Sequence, residues 1–326
     1  MPPLAFARAP RYMAPMTEPA IRIQNLQKTY RDRKSGQQKV ALHGIDLEIP
    51  RGSFFGLLGP NGAGKSTLIN IMAGTVVKTA GSVAIMGHDI DTASRQAKMS
   101  IGIVPQELVL DTFFTVRQAL EITAGYYGIP KAKRRTDEII DAMGLRDKAD
   151  SPSRRLSGGM RRRLLIGKAL VHTPPVLILD EPTAGVDVEL RRHLWAYVRQ
   201  LNAAGTTVLL TTHYLEEAEE LCDEIAIINH GRIIKRDRKD ALMRGVDSKE
   251  VFFTLASPLT EVPASLSDLQ ASVREGKLCV KYQPSKAAME QVLASVRGAG
   301  LTIQDISTHE VELEDLFVAL TSDQAA

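Results

Sequence analysis

The chain has 326 residues, 44% apolar and 24% charged, and its 41 basic side chains exceed the 38 acidic ones by a net charge of only +3. That length suits one large domain plus a smaller one, and the apolar content fills a core without cross-links, so the chain reads as soluble and globular. So small a net charge, with aromatic residues at 5%, fits nucleic-acid binding poorly.

Residues 1–19 carry four prolines besides Pro19 and no continuous apolar core. They make a poor secretory signal and predict a disordered N-terminal tail, with Met13 and Met16 as alternative initiators. From 20 to 245 short β-branched runs alternate with helical patterns, the mark of a sheet with helices packed on it. Strands are predicted at 21–26, 45–49 and 53–58, a helix at 65–73, and further strands at 82–86, 101–104, 176–180, 206–211 and 225–229. Over about 107–175 the pattern turns helical, at 115–127, 134–143 and onward from Ser157, which predicts a helical subdomain inserted into the core. A small α/β unit is expected at 246–326, with strands near 251–255, 278–282 and 301–306 and helices at 285–299 and 312–320.

The best apolar runs, 176–179 and 208–210, have strand length, far short of the roughly 18 to 20 residues of a membrane-spanning helix. Cys222 and Cys279 lie far apart and outside ligand-like spacing, so neither a disulfide framework nor a zinc site is expected, and reduced cytosol is the default compartment. Arginines crowd at Arg154, Arg155, Arg161, Arg162 and Arg163. The plain reading is a solvated helix face; contact with anionic lipid or a partner's acids is the other.

Chemistry concentrates at three places. Gly59-Pro60-Asn61-Gly62-Ala63-Gly64-Lys65-Ser66-Thr67 fits the phosphate-binding loop G-x-x-x-x-G-K-[ST] between a strand and a helix. Its glycines let backbone N–H groups turn toward phosphate oxygens, Lys65 reaches the β and γ phosphates of ATP, and the Ser66 hydroxyl is a ligand for Mg2+. Asp180 ends an apolar strand at the carboxyl edge where α/β sheets bind ligands, and is expected to hold Mg2+, while Glu181 is the better placed to polarise an attacking water. Between loop and acids stands Leu156-Ser157-Gly158-Gly159-Met160. Ser157 caps the following helix, leaving Gly158 and Gly159 as bare donors at its positive end.

Loop, Ser-Gly-Gly helix start and acids in that order resemble the ATPase subunits of ABC transporters. The resemblance implies a P-loop α/β NTPase of ABC type with an antiparallel β subdomain and a helical subdomain, plus the small C-terminal α/β domain. It implies that His213 contacts the γ phosphate and orients Glu181 and water, and that Gln106 approaches Mg2+ and the water and senses the membrane partner. It implies that Tyr30 stacks on adenine, a contact worth roughly 1 to 3 kcal/mol; a strand-end tyrosine in the core is the alternative. The Ser157, Gly158 and Gly159 site, with Asp187, then closes over ATP held by a second copy or a homologous subunit. Met160, where many members have glutamine, and the ending Leu313-Glu314-Asp315-Leu316-Phe317 are similar to the branch serving ABC-2-type exporters, the YadG-like group.

That branch implies a separate ABC-2-type membrane permease, no nucleic-acid partner, and a cytoplasmic location peripheral to the cytoplasmic face of the plasma membrane. Leu108, Val109, Leu110, Phe113 and Phe114 are expected either in the core or along a groove for a short helix of the permease. An ABC ATPase acting on DNA or ribosomes is the competing reading; the two cassettes or long coiled-coil insertion usual there are absent. A small-molecule kinase on the same loop leaves Ser157 to Met160 and His213 unexplained.

Overall fold

The computed structural model of the chain describes residues 18–32, 35–183, 188–212, 214–244, 249–257, 259–266, 269–283, 287–310, 313–314, 317 and 320. Two compact units divide it, Met1–Asp237 and Arg238–Ala326.

The first unit opens on β1 (Ile21–Arg31) and β2 (Gln38–Ile49), an antiparallel pair. Alternation places Ile45, Leu47 and Ile49 on the buried face, while Leu42, out of that phase, is buried on the far side of Gly44 with its φ of 85°. In β1 the register shifts between Ile23 and Leu26, where Asn25 takes a left-handed φ of 44°. That bulge breaks the alternation, which is why the sequence pattern fades at residue 26 although the strand runs on. Next come β3 (Phe54–Leu58), α1 (Lys65–Met72), β4 (Ala80–Ile85), β5 (His88–Asp89), α2 (Ser94–Met99) and β6 (Ile101–Val104). The helical segment holds α3 (Val116–Tyr126), α4 (Thr136–Ala142) and α5 (Gly158–Leu170). The unit closes with β7 (Val176–Asp180), α6 (Val188–Ala203), β8 (Thr207–Thr212), α7 (Leu215–Leu221), β9 (Glu224–Asn229) and β10 (Arg232–Arg238).

Two sheets result, β2-β1-β4-β5 and β10-β9-β3-β8-β7-β6. Strands β3, β7 and β8 are buried at every residue and pair in parallel, as continuous apolar runs do when both faces of a sheet are covered. The antiparallel sheet, α1 and the parallel sheet share one core, in which Ile21, Leu42, Leu57, Leu68, Ile178 and Leu209 are fully buried. The edge strand β10 is mostly polar and exposed, so no alternation announced it. Within the helical segment Val116, Leu120, Ile139, Ile140, Leu164 and Ile166 turn inward, and Thr115 with Gln118 forms a capping box on α3.

The arginine cluster departs from the expected solvated face. Arg154 and Arg155 are exposed, but Arg161 and Arg163 are half-buried and Arg162 is 4% exposed. Three consecutive residues of a helix fan over roughly 200°, so they cannot all face water. Arg163 donates to Met143 O at 2.8 Å and Gly144 O at 3.1 Å, capping the carbonyl end of α4.

His172, just past α5, joins this segment to the sheet. Its ring stacks on Tyr127 at 3.7 Å and 6°, and Nε2 donates to Ile101 O at 3.0 Å. Nδ1 has no partner among the described residues, so a second proton would sit buried on a nitrogen with no acceptor. Burial pushes the imidazole down to about 4, against the pull of the Ile101 carbonyl. The unfolded chain, titrating near 6.5, takes up that proton first, so stability is lost as pH falls from about 6.5 toward 4. Between pH 6.5 and 5 the wild type should lose about 1.5 kcal/mol more than His172→Phe, which keeps the stacked ring. Urea unfolding at the two pH values tests it; equal losses would remove His172 as the cause.

The second unit contains α8 (Lys239–Arg244), β11 (Lys249–Leu255), β12 (Gln270–Arg274), β13 (Lys277–Tyr282), α9 (Met289–Gly298) and β14 (Ile303–Glu310). Its antiparallel sheet runs β12-β13-β11-β14. Val251, Phe253, Leu278 and Val280 face Val292 and Val296 of α9 in a separate core. Most of the helix expected at 312–320 lies outside the described residues. Both cysteines are buried and form no disulfide.

Candidate nucleotide site

The loop after β3 is shaped by close approach to β9. A Cβ on Gly59 would collide with Ile228 O, and Gly64 sits at φ 113°, a conformation that bars most side chains. Leu68 N donates to Gly64 O at 3.0 Å as the first bond of α1. The amides of Lys65, Ser66 and Thr67 ahead of it have no intrahelical acceptor, and no side chain caps this end. The result is an anion cradle at the positive end of a helix. Lys65 is 5% exposed, and its Nζ donates to Gly59 O at 2.6 Å and Pro60 O at 3.2 Å. An ammonium has three donors, so one remains for a phosphate oxygen. Burial lowers the Lys65 amine, opposed by the carboxylates of Glu181 and Asp180. Around the cradle, Asn61 and Ser66 are exposed, Pro60 and Thr67 are half-buried, and Gly62 takes a φ of 81°. Ala63 is buried, and its carbonyl accepts from Gly231 N at 2.8 Å.

Two acids stand at the carboxyl end of β7. Asp180 is 8% exposed and its Oδ1 accepts from Thr211 Oγ1 at 2.6 Å. Burial pushes its carboxyl up; the Thr211 hydroxyl opposes that, Glu181 adds to it, and Lys65 and Arg162 pull the other way. Glu181 takes a left-handed φ of 45°, which costs a non-glycine residue roughly 1–2 kcal/mol. Its amide is anchored on Thr211 O at 3.0 Å, and the turn lets its side chain leave the line of Asp180. Glu181 Oε2 accepts from Gln106 Nε2 at 2.9 Å. A loop lysine, two carboxylates and the glutamine after β6 thus meet at one edge of the sheet.

Ser157 is the N-cap of α5, its hydroxyl accepting from Met160 N at 3.2 Å. Gly158 is exposed and Gly159 half-buried. Among the described residues no hydrogen bond joins Ser157, Gly158 or Gly159 to the loop of the same chain. Tyr30 is 40% exposed, not a core residue, with Lys28 Nζ over its ring at 4.6 Å. It pairs with Lys39 on β2, and a few residues on Ala41 O and Leu42 crowd Gly64, so this end of the antiparallel sheet abuts the loop. His213 and Asp187 lie outside the described residues.

Three contributors escaped sequence reading. Thr211 looks like any threonine of a buried strand. Thr183, right after the acids, donates to the fully buried Glu217 of α7. Arg162 did leave a signal: it stands three and four residues before Leu165 and Ile166, on the inward face of α5.

The donor set also bears on magnesium. Among the described residues no group of three or more His, Cys, Asp or Glu side chains forms a metal cage. One buried carboxylate plus a serine hydroxyl at the loop suit Mg2+, which keeps waters and shares its shell with substrate phosphates.

Phosphate cradle, buried lysine and strand-end acids define a nucleoside triphosphatase of the P-loop class. Residues 42–184 match the family model described as ABC transporter. A Nod factor export ATP-binding protein I from Ralstonia nicotianae is 38% identical over 316 residues, covering 93% of this chain and 94% of that protein. A linearmycin resistance ATP-binding protein from Bacillus subtilis is 34% identical over 310 residues, 92% of this chain and 98% of its own length. Among solved structures, a dimeric post-hydrolysis ATP-binding cassette bound to ADP and Pi superposes with a TM-score of 0.62 at 26% identity, covering 67% of this chain and 98% of that one. The chain belongs to the ATP-binding subunits of the ABC transporter family. It is an ATPase.

Proposed function

We propose that this ATPase drives an ABC-2-type exporter, with two copies, or one copy and a homologous subunit, closing on two ATP molecules. The observation that carries the reading is the Gln106 to Glu181 hydrogen bond of 2.9 Å beside Lys65 and Asp180. Residues 59–67 and Lys65 hold the phosphates, and Tyr30 stacks on adenine. Asp180, Ser66 and Gln106 hold Mg2+, which when bound offsets phosphate charge. Glu181 polarises the attacking water and takes its proton, with Gln106 fixing the carboxylate and His213 set at the γ phosphate. Ser157, Gly158, Gly159 and Asp187 act on the nucleotide of the opposite copy. The absence of same-chain bonds from the α5 cap to the loop supports that division, as does the dimeric ADP-bound relative. The unit after residue 245 serves as an accessory domain that supports or regulates the dimer.

Two relatives are named for export and for drug resistance, which supports an export direction. Among the described residues no helix is long and apolar enough to cross a membrane. The exporter reading assigns the pore to a separate permease and this chain to the cytoplasmic face of the plasma membrane. Core packing of the 108–114 stretch is overturned: Val109 is 67% exposed and Phe113 77%. The stretch has no regular periodicity to align its side chains inward. Val109 borders a cleft of about 830 Å3 lined also by Met99, Ile103, Tyr126, Tyr127 and Leu165, with Arg95, Lys98 and Lys168 among its cations. The exporter reading assigns this cleft to a short helix of the permease.

Replacing Phe113 and Phe114 by Ala should weaken co-purification of the membrane subunit from native membranes by roughly tenfold or more while ATP binding survives. Undiminished co-purification would sink the docking role of this stretch.

A further inference from the structure

Arg162 is nearly sealed from water at 4% exposure, a state arginine reaches only with its donors satisfied. Nη1 donates to Pro105 O at 2.7 Å and Nη2 to Gln106 O at 2.9 Å. Both acceptors are neutral carbonyls, and Asp180 is the carboxylate whose field reaches the guanidinium. The planar fork therefore grips two successive peptide units of the segment leaving β6. That segment presents the Gln106 side chain to Glu181 and lends Pro105 and Val109 to the cleft wall. At its other end Arg162 is fixed to α5, whose first turn is capped by Ser157. Its neighbour Arg163 reaches only the end of α4, so the clamp belongs to Arg162 among the two.

We propose that Arg162 is a positioning residue for ATP hydrolysis: by clamping the Pro105 and Gln106 carbonyls it holds the Gln106 amide on Glu181 and ties the orientation of that carboxylate to helix α5. The inference rests on the reading of Glu181 as the group that polarises water. Its physical content is rigidity. The backbone after β6 has no strand or helix partner at Gln106, so without the fork the amide samples many orientations and the carboxylate loses the Gln106 bond. A lysine keeps the charge but, as a single point donor, cannot hold both carbonyls in one plane.

The test uses the full chain with Arg162→Lys, Gln106→Ala, the double variant and Glu181→Gln, assayed for kcat, KM for ATP, fluorescent-ATP affinity and melting midpoint. Arg162→Lys should lower kcat about tenfold or more while KM and affinity stay within about twofold. Added to Gln106→Ala it should slow turnover by less than about twofold further, because the side chain it positions is already gone. Wild-type turnover in Arg162→Lys, or effects that multiply in the double variant, would overturn the proposal. If Arg162→Lys melts too early to assay, Arg162→Gln, which retains a donor for one carbonyl, is judged by the same two criteria. A normal rate in Glu181→Gln overturns the underlying reading of the site; a slow Glu181→Gln beside a fast Arg162→Lys overturns this inference alone.

Discussion

Glu181→Gln is expected to cut kcat for ATP hydrolysis by roughly 10²- to 10⁴-fold, the usual contribution of a positioned general base, with ATP affinity unchanged or higher. The substitution keeps the shape of the side chain and an oxygen able to accept from Gln106, so the backbone turn at φ 45° and the anchor on Thr211 O need not move. What disappears is the group proposed to take the proton of the attacking water. A negative charge beside Asp180 also goes, and with it a term that repels the phosphates of ATP. Binding without turnover should therefore accumulate an ATP-held dimer. Single-turnover hydrolysis and size-exclusion chromatography in Mg-ATP measure the two effects; turnover near the wild-type rate would contradict the role given to Glu181.

Lys65→Ala should weaken ATP binding by roughly 10- to 100-fold, from the loss of charge-assisted bonds worth about 1.5–3 kcal/mol. The lysine is held by Gly59 O and Pro60 O, so it organises the loop from inside as well as presenting a cation. Truncation leaves the buried Gly59 carbonyl without that donor and lets the cradle relax. Alanine therefore removes both the proposed phosphate contact and part of the cradle's shape. Fluorescent-ATP titration reads the change, and an affinity equal to wild type would refute it.

Much of this site was legible because its parts are local. Gly59 to Thr67, Asp180 and Glu181 each combine residue type with a strand end that periodicity already located, and the Ser157 cap follows from one hydroxyl before a helix. Partners across the sheet were not legible. Nothing around Thr211 says that it will bond Asp180, since that pairing depends on β7 and β8 lying side by side. Arg162 was misread because five arginines in a short span look solvated when counted, whereas Arg161, Arg162 and Arg163 fan around α5 and Arg162 turns inward. The extension of β1 past its bulge and the polar edge strand β10 were hidden for a related reason: alternation reports burial only where a strand has one covered face.

By itself the amino-acid sequence determined the chemistry available here: a phosphate cradle, two strand-end acids, a capped helix start and the order that links them. These depend on interactions within a few residues, where backbone conformation and side-chain type suffice. Only the tertiary structure decided which of these groups meet, because contacts between residues far apart in the chain arise from the parallel order of β3, β8, β7 and β6 and the packing of α5 beside the segment that follows β6. Sequence supplied the carboxylate of Glu181 and the amide of Gln106; the fold brought them to 2.9 Å and put Arg162 behind them.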